Sequence, residues 1–584
     1  MQEAVYFNQL SRPFFRLKDL LKNNQYRLVL AILIVIPLLI FTQAYQYDFV
    51  WDDNVHLQHV LLQNFSLETL RQTYSTQYAG MFIPVSYTLW AGLKAFSEFS
   101  SIPLNTVLHT SNIILHIVNS ILVYLLLKNL IQNRLATFLG SLLFIAHPIQ
   151  VETVVFVTEF RGLLATMFGL LAIYFHMKHY QKHSTTPILL LSLFLFILAL
   201  LSKPSGVFVA LSILLIHRIY YRNSWQSSLL SFAPYLAIVF AYVTLSHFLI
   251  STDYSPLQIP DYHKPAVWLA TISFYLLKII SPTELGASYA ITPQFLVQQW
   301  WLYPVATIPL FIAAGVWAIR RSAPLIVLAS LLFAVATLAT SGLITYGGYY
   351  RSMVGDRYIY FGLFAVSLLL AAILDRFDKI QLYVVSFVAL IGLALLSAFN
   401  QTPIWKDGVT LWTHSIEFEF NKEESYEENI ATEYYNRGYR ALQANDIDNA
   451  LTNFDIASKR NPTFAAPYLA TGSIYYDTGN YQQAAQYFQK GMALDANYVN
   501  AYKLANTYAK LHHYKEAREY YEQAILKNPK HVESYERIAV VYYNLKEYQK
   551  AWWSVEKVEK LGREIHPRIF KALQSACPKT SCTS

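Results

Sequence analysis

From Arg27 to Tyr45 the chain runs RLVLAILIVIPLLIFTQAY, an apolar stretch long enough to cross a bilayer as a helix. Eleven further apolar stretches follow before residue 400, near 106–127, 135–157, 162–180, 187–202, 204–220, 229–250, 264–281, 302–320, 323–345, 357–374 and 380–398. This succession predicts a polytopic, all-α membrane domain over residues 1–400. Composition agrees: 14% of the 584 residues are charged, where a soluble chain has about a quarter. The net charge of +8 does not point to nucleic acid, because the Lys and Arg fall mostly in short loops between apolar runs. The first run is too long for a cleavable signal and lacks a small-residue cleavage site, so an anchor is expected.

The basic loops predict an orientation. Arg12, Arg16, Lys18, Lys22 and Arg27 precede the first run, which places the N-terminus in the cytoplasm. Lys128 with Arg134, Lys178 with Lys182, Arg218 with Arg222, Arg320–Arg321 and the Asp375–Lys379 turn are expected on the same side. Twelve crossings would put Arg320–Arg321 outside. With 264–281 re-entrant or lying on the surface, eleven crossings keep every basic loop inside. Asp52, Asp53, the 146–161 loop, the 346–356 loop and everything after Asn400 then face outward.

Polar residues on that outer side are the candidate site. Asp52 and Asp53 follow the first run in YDFVWDDN, at the expected height of the membrane surface. FIAHPIQVETVVFVTEFRG carries His147, Glu152, Glu159 and Arg161. LSKPSG places Lys203 between two apolar helices, and YGGYYRSMVGDRYIYF carries Arg351, Asp356 and Arg357. Charge kept at a membrane edge is costly unless paired, and it often marks an anionic ligand or a pathway. His109, Asn112, His116 and Asn119 recur every three or four residues, on one helix face, where bonds to neighbouring helices are expected. They do not form a metal site, and no metal or cofactor is expected.

Beyond Asn400 a repeat replaces the apolar runs. Gly438, Gly472, Ala505 and Ala539 recur at intervals of 34, 33 and 34 residues, as do Ala450, Ala484, Ala517 and Ala551. Phe454, Phe488, Tyr521 and Val555 keep the same period. This is the tetratricopeptide (TPR) pattern of paired helices, about four units over 431–560, stacking into an α-solenoid with a concave groove. Residues 401–430 are expected to bridge to it and 561–584 to form a tail. Cys577 and Cys582, the two cysteines of the chain, can close a small disulfide loop if that tail lies in an oxidising compartment.

In this order the motifs resemble the TMTC-type membrane-plus-TPR protein O-mannosyltransferases, within the GT-C glycosyltransferases. The resemblance is carried by FVWDDNVHL, FIPVSYTLW, LHTSNIILHIVNSILVYLLL, FIAHPIQVETVVFVTEFRGLL, LSKPSGV, GDRYIYF and IWKDGVTLW. It implies transfer of a sugar from a polyprenyl-phosphate-linked donor to a Ser or Thr hydroxyl of an acceptor protein or peptide engaged by the TPR groove. It implies Asp52 as general base and Asp53 as an orienting acid. Glu152, Arg161, Lys203, Arg351 and Arg357 are then expected to hold the donor phosphate and sugar. The expected setting is an integral membrane protein, in contact with membrane lipids, with the repeats periplasmic in a bacterium or lumenal in a eukaryote. Two departures stand out. Ile83 replaces an expected cation, for which Arg351 is the substitute, and Pro204 replaces the acid beside Lys203, so Lys203 is expected to lack an acidic neighbour. An oligosaccharyltransferase moving a preassembled glycan and a non-enzymatic membrane-anchored TPR scaffold remain as alternative readings.

Overall fold

The computed structural model describes residues 26–182, 186–249, 259–340, 352–417 and 426–582. Two compact units divide at Ser425 and Tyr426. Both are helical, and among the described residues the one β contact is an isolated bridge between Tyr78 and Met81.

Among the described residues of the first unit, four helices are long and apolar enough to cross a membrane: Leu104–Leu130, Val157–Gln181, Trp225–Leu249 and Ile380–Lys406. Shorter apolar helices accompany them, Tyr26–Ile40 and Thr186–Ser202 among them. The stretch 135–157, expected as one segment, is instead bent by 50° between Arg134–Ala146 and Pro148–Val155. Pro148 explains the break, because it has no N–H to continue the ladder and its ring disfavours a helical residue before it. The bend buries Glu152. Residues 204–220 likewise divide into a 3-10 turn, an α-helix and a terminal π turn. The segment 264–281 forms the helix Lys264–Ile280, with Val267 and Tyr275 fully buried.

The connection from 47 to 103 is more ordered than its lack of long apolar runs suggests. It folds into Asp53–His56, Val60–Gln63, Leu67–Thr73 and the 17-residue helix Pro84–Ser100. Ser66 and Thr69 close a reciprocal cap on the third of these, satisfying two otherwise orphaned N–H groups. Leu61, Leu62, Ile83, Tyr87 and Trp90 pack against Leu108, Val157, Phe160 and Leu164. That apolar cluster clamps the acidic loop onto the 157–164 segment.

The polar face of Leu104–Leu130 completes the frame. Asn112 Nδ2 donates to Phe156 O at 3.0 Å and Asn119 Nδ2 to Leu163 O at 3.1 Å. His116 Nδ1 and the Tyr360 hydroxyl lie 2.8 Å apart. These bonds fix the backbone on either side of residues 157–162 and just after Arg357.

After the last apolar helix the chain does not leave the first unit. Thr402–Lys406 and Gly408–Glu417 fold back over the acidic loop. Asp48 N donates to Lys406 O at 3.1 Å, and Trp412 meets Trp51 edge-on at 5.1 Å.

The second unit is four helix pairs, from Glu427–Gln443 with Ile447–Arg460 to Val532–Asn544 with Tyr548–Lys560. The periodic small residues sit where paired helices cross. A Cβ on Gly472 would lie 2.8 Å from the Phe488 ring, and one on Gly438 2.7 Å from Phe454. Pro567–Ala576 follows the last pair, and Cys577 and Cys582 are joined by a disulfide with Cα atoms 5.9 Å apart.

Candidate functional site

The acidic loop begins at a strained residue. Trp51 has φ 52°, the left-handed region that costs a bulky L-residue about 1–2 kcal/mol. Its ring is held on three sides: stacked on Phe156 at 5.5 Å, against the edge of Trp412, and under the Arg357 guanidinium at 4.6 Å. That packing keeps the strained turn in place and sets the direction in which the next two residues leave it.

Asp53 and Asp52 then diverge. Asp53 is buried, and all three hydrogen bonds to its carboxylate come from the protein. Thr158 N and Thr158 Oγ1 donate to Oδ1 at 2.7 and 2.6 Å, and Val50 N donates to Oδ2 at 3.0 Å. Burial pushes its carboxyl up to about 7 against the pull of those donors. Asp52 is half-buried, and among the described residues no hydrogen bond or ion pair engages its carboxylate. One acid ties the loop to residue 158; its neighbour is open.

Beside the loop lies a buried ion network. Glu152 Oε1 pairs with Arg357 Nη1 at 2.6 Å while Oε2 accepts the Arg357 backbone N–H at 2.8 Å. Arg357 also donates to Ala287 O and to the Tyr358 hydroxyl, both at 3.1 Å. Glu159 Oε2 pairs with Lys203 Nζ at 2.6 Å, and its Oε1 lies 3.5 Å from Arg161 Nε. A Cβ on Gly162 would stand 2.5 Å from Glu159 Oε2, so glycine there leaves room for the pair. The Tyr358 ring lies between the two halves, 4.6 Å from Arg357 and 5.8 Å from Lys203.

Arg161 reaches back toward the acidic loop. Its Nη1 donates to His56 Nε2 at 3.2 Å. A guanidinium only donates, so His56 carries its proton on Nδ1 and donates to the Tyr87 hydroxyl at 2.6 Å. Burial, with Arg161 beside it, drives His56 down to about 2, and the ring is neutral. Within the network three cations face two carboxylates, an excess of one positive charge. Asp356 makes no ion pair with these cations: the Tyr289 hydroxyl bonds it at 2.8 Å, and burial and the charge of Glu152 raise its carboxyl well above the usual range. An open carboxylate next to a cation-rich, largely buried surface can accept a proton and hold an anion in one place.

Of the residues expected to act, Asp52, Asp53, Glu152, Arg161, Lys203 and Arg357 converge on this one region. Arg351 lies outside the described residues. The expectation that Lys203 lacks an acidic neighbour is corrected by Glu159, 44 residues earlier in the chain. Ile83 is buried in the apolar cluster, so no cation stands at that position. Glu159 stood among the outer-side polar residues without a role, and His56, Trp51 and Tyr358 were not singled out. For Glu159 a signal existed: a carboxylate in FVTEFRG amid apolar residues needs a cation, and Lys203 needed an acid.

Comparison with known proteins adds three findings. Residues 85–250, which include Glu152, Glu159, Arg161 and Lys203, match the family described as dolichyl-phosphate-mannose-protein mannosyltransferase. Residues 435–498 and 502–556 match the tetratricopeptide repeat. Protein O-mannosyl-transferase F38B6.6 of Caenorhabditis elegans is 29% identical over 191 residues, 30% of this chain and 26% of that protein. The chain thus spans about a quarter of the length of the curated relative it matches. Among solved structures, MamA is 22% identical over 26% of this chain and 84% of its own, with a TM-score of 0.24. YrrB, a TPR protein with an unusual peptide-binding site, is 20% identical over 30% of this chain and 95% of its own, with a TM-score of 0.23. The chain thus joins a segment similar to the protein mannosyltransferases, lying among apolar helices, to an array of tetratricopeptide repeats.

Proposed function

We propose that this chain moves one sugar from a polyprenyl-phosphate-linked donor to a Ser or Thr hydroxyl of a protein on the outer side of the membrane. The observation that carries this reading is the open Asp52 carboxylate beside the cation excess of Arg161, Lys203 and Arg357. An alcohol is a weak nucleophile, and a carboxylate in reach of its proton is worth about 10²–10⁴ in rate. The leaving group is a phosphate, whose charge grows as the glycosidic bond breaks. Fixed cations in a water-poor site stabilise that charge without reorganising at the moment of reaction.

The roles follow from position. Asp52 takes the acceptor proton, and Asp53 holds the loop that aims it. Arg357 and Lys203 face the phosphate, with Arg161 behind them. Glu152 and Glu159 keep the three cations apart and in place, and Glu152 is near enough to bond a sugar hydroxyl. Direct displacement inverts the anomeric carbon. The groove of the repeats holds the acceptor chain. Mannose is the first sugar to try, given the relative, and the N-terminus is cytoplasmic with the repeats outside.

The test uses purified full-length protein in detergent, polyprenyl-phosphate mannose and a Ser/Thr-rich peptide, read by mass spectrometry. A gain of one hexose is expected. A gain of several sugars from a lipid-linked glycan would make the chain an oligosaccharyltransferase, and no transfer from any lipid-linked sugar would leave a scaffold.

The bridge IWKDGVTLW also acquires a role on this reading. Trp412 braces Trp51, the residue before the base, so Trp412→Ala should lower turnover about tenfold, the order expected when a reacting group is displaced by a fraction of an ångström. The acceptor KM should stay unchanged, and Trp412→Phe should restore most of the rate. Equal loss in Ala and Phe variants would argue against the brace.

A further inference from the structure

The first helices of the repeats present a row of residues along one face, and the second and third units enclose a pocket there. Its volume is about 370 Å3, and Ser473, Tyr476, Asp477, Phe488, Lys503 and Asn506 line it. Lys503 and Arg537 occupy the same position in consecutive repeats, 34 residues apart. Both border Tyr476: Lys503 lines the pocket with it, and its hydroxyl is felt electrostatically by Arg537.

These two cations differ from others on the unit. Arg460, Arg518 and Arg563 are each within 3.2 Å of a carboxylate. Among the described residues neither Lys503 nor Arg537 has a carboxylate in ion-pair range. Lys503 Nζ has one long contact, 3.4 Å to Ser473 Oγ, and Arg537 lies in the electrostatic reach of Tyr502, Tyr521 and Tyr476. Asn506 Oδ1 accepts from the Tyr521 hydroxyl at 2.5 Å, so its NH₂ group is left to donate. The pocket therefore offers the Lys503 cation, the Asn506 amide donor and the Ser473 hydroxyl beside the Tyr476 ring, with Asp477 exposed at its rim, and Arg537 holds the position equivalent to Lys503 in the next repeat.

We propose that the groove selects an extended peptide by its acidic side chains. An Asp or Glu carboxylate lies between Lys503 and Arg537, and the Asn506 amide donates to a carbonyl of the peptide backbone. A charge-assisted bond to each cation is the strong term, and the tyrosine faces accept the apolar part of the chain. As a statement about the acceptor, the proposal rests on the sugar-transfer reading. As a statement about binding, it is measured without any donor.

The experiment uses the full chain in detergent and a fluorescein-labelled peptide of Ala and Thr carrying two Glu, compared with the same peptide carrying two Lys. Anisotropy is recorded at low and high salt with no lipid-linked sugar present. The Glu peptide should bind at least about tenfold tighter, and the margin should shrink as salt screens the exposed part of the pairing. The double variant Lys503→Glu, Arg537→Glu should reverse the order of the two peptides while its thermal unfolding matches the wild type. Equal binding of the two peptides would overturn the proposal. So would tighter binding of the Lys peptide to the wild type, which would give the pocket to Asp477. A preference that survives the double reversal would overturn it as well. If the acidic preference holds and no sugar is ever transferred, the groove assignment stands and the catalytic reading falls.

Discussion

Asp52→Asn is expected to lower sugar transfer by about 10²–10⁴ while leaving donor binding close to the wild type. The amide keeps the volume and the position of the side chain, and it cannot accept the acceptor proton as a carboxylate does. No described residue bonds that carboxylate, so the substitution breaks nothing in the fold. Asp53→Asn is the necessary contrast. Its two oxygens face three donors, and an NH₂ on either side meets an N–H or O–H head-on. Leaving one buried donor without an acceptor costs about 1–3 kcal/mol, and the loop should loosen. The two variants therefore separate by measurement: Asp52→Asn loses rate at unchanged thermal stability, and Asp53→Asn loses stability together with rate. By pKa alone Asp53, raised to about 7, looks the better base. Geometry favours Asp52 on the proposed reading, because the Asp53 carboxylate is buried and both its oxygens already accept hydrogen bonds. Undiminished transfer in Asp52→Asn would move proton acceptance to another group.

Most of this site was legible because charge is scarce in the first 400 residues. A carboxylate or cation between apolar runs is conspicuous, and WDDN, HPIQVE and GDRY each announced themselves that way. The repeats were legible for a different reason. Their small residues mark helix crossings, so the spacing in the chain encodes the packing directly, as Gly472 against Phe488 illustrates. What sequence could not supply was pairing at a distance. Glu159 and Lys203 are 44 residues apart, and nothing local says that one answers the other. Trp51 and Trp412 are farther apart still, and nothing local says that Trp412, in the segment expected to lead to the repeats, packs on the acidic loop. The helix Pro84–Ser100 escaped notice because Ser86, Thr88, Lys94, Ser97 and Glu98 interrupt the apolar run by which a membrane helix is sought.

Glu159 is where the arrangement is most exposed to test. It is fully buried, and it stands between Lys203 and Arg161, whose side chains are 12% and 8% exposed. Removing one partner of a buried pair leaves an uncompensated charge, a loss of about 3–5 kcal/mol. Glu159→Gln should thus lower the stability of the first unit by that order and displace Lys203 from the phosphate position, abolishing transfer. The double variant Glu159→Gln, Lys203→Met removes the orphaned cation together with its acid. Stability should largely return in it, because a desolvated pair is worth little more than apolar side chains of similar size. Transfer should stay lost, because the cation itself is gone. Polyprenyl phosphate, the product of the proposed reaction, supplies a second discriminator. It should raise the unfolding temperature of Glu159→Gln more than that of the wild type, since its phosphate takes the place of the missing carboxylate. The double variant should gain least. If Glu159→Gln unfolds and transfers as the wild type does, the carboxylate is not the keystone of the cation cluster, and Lys203 must be held by something else.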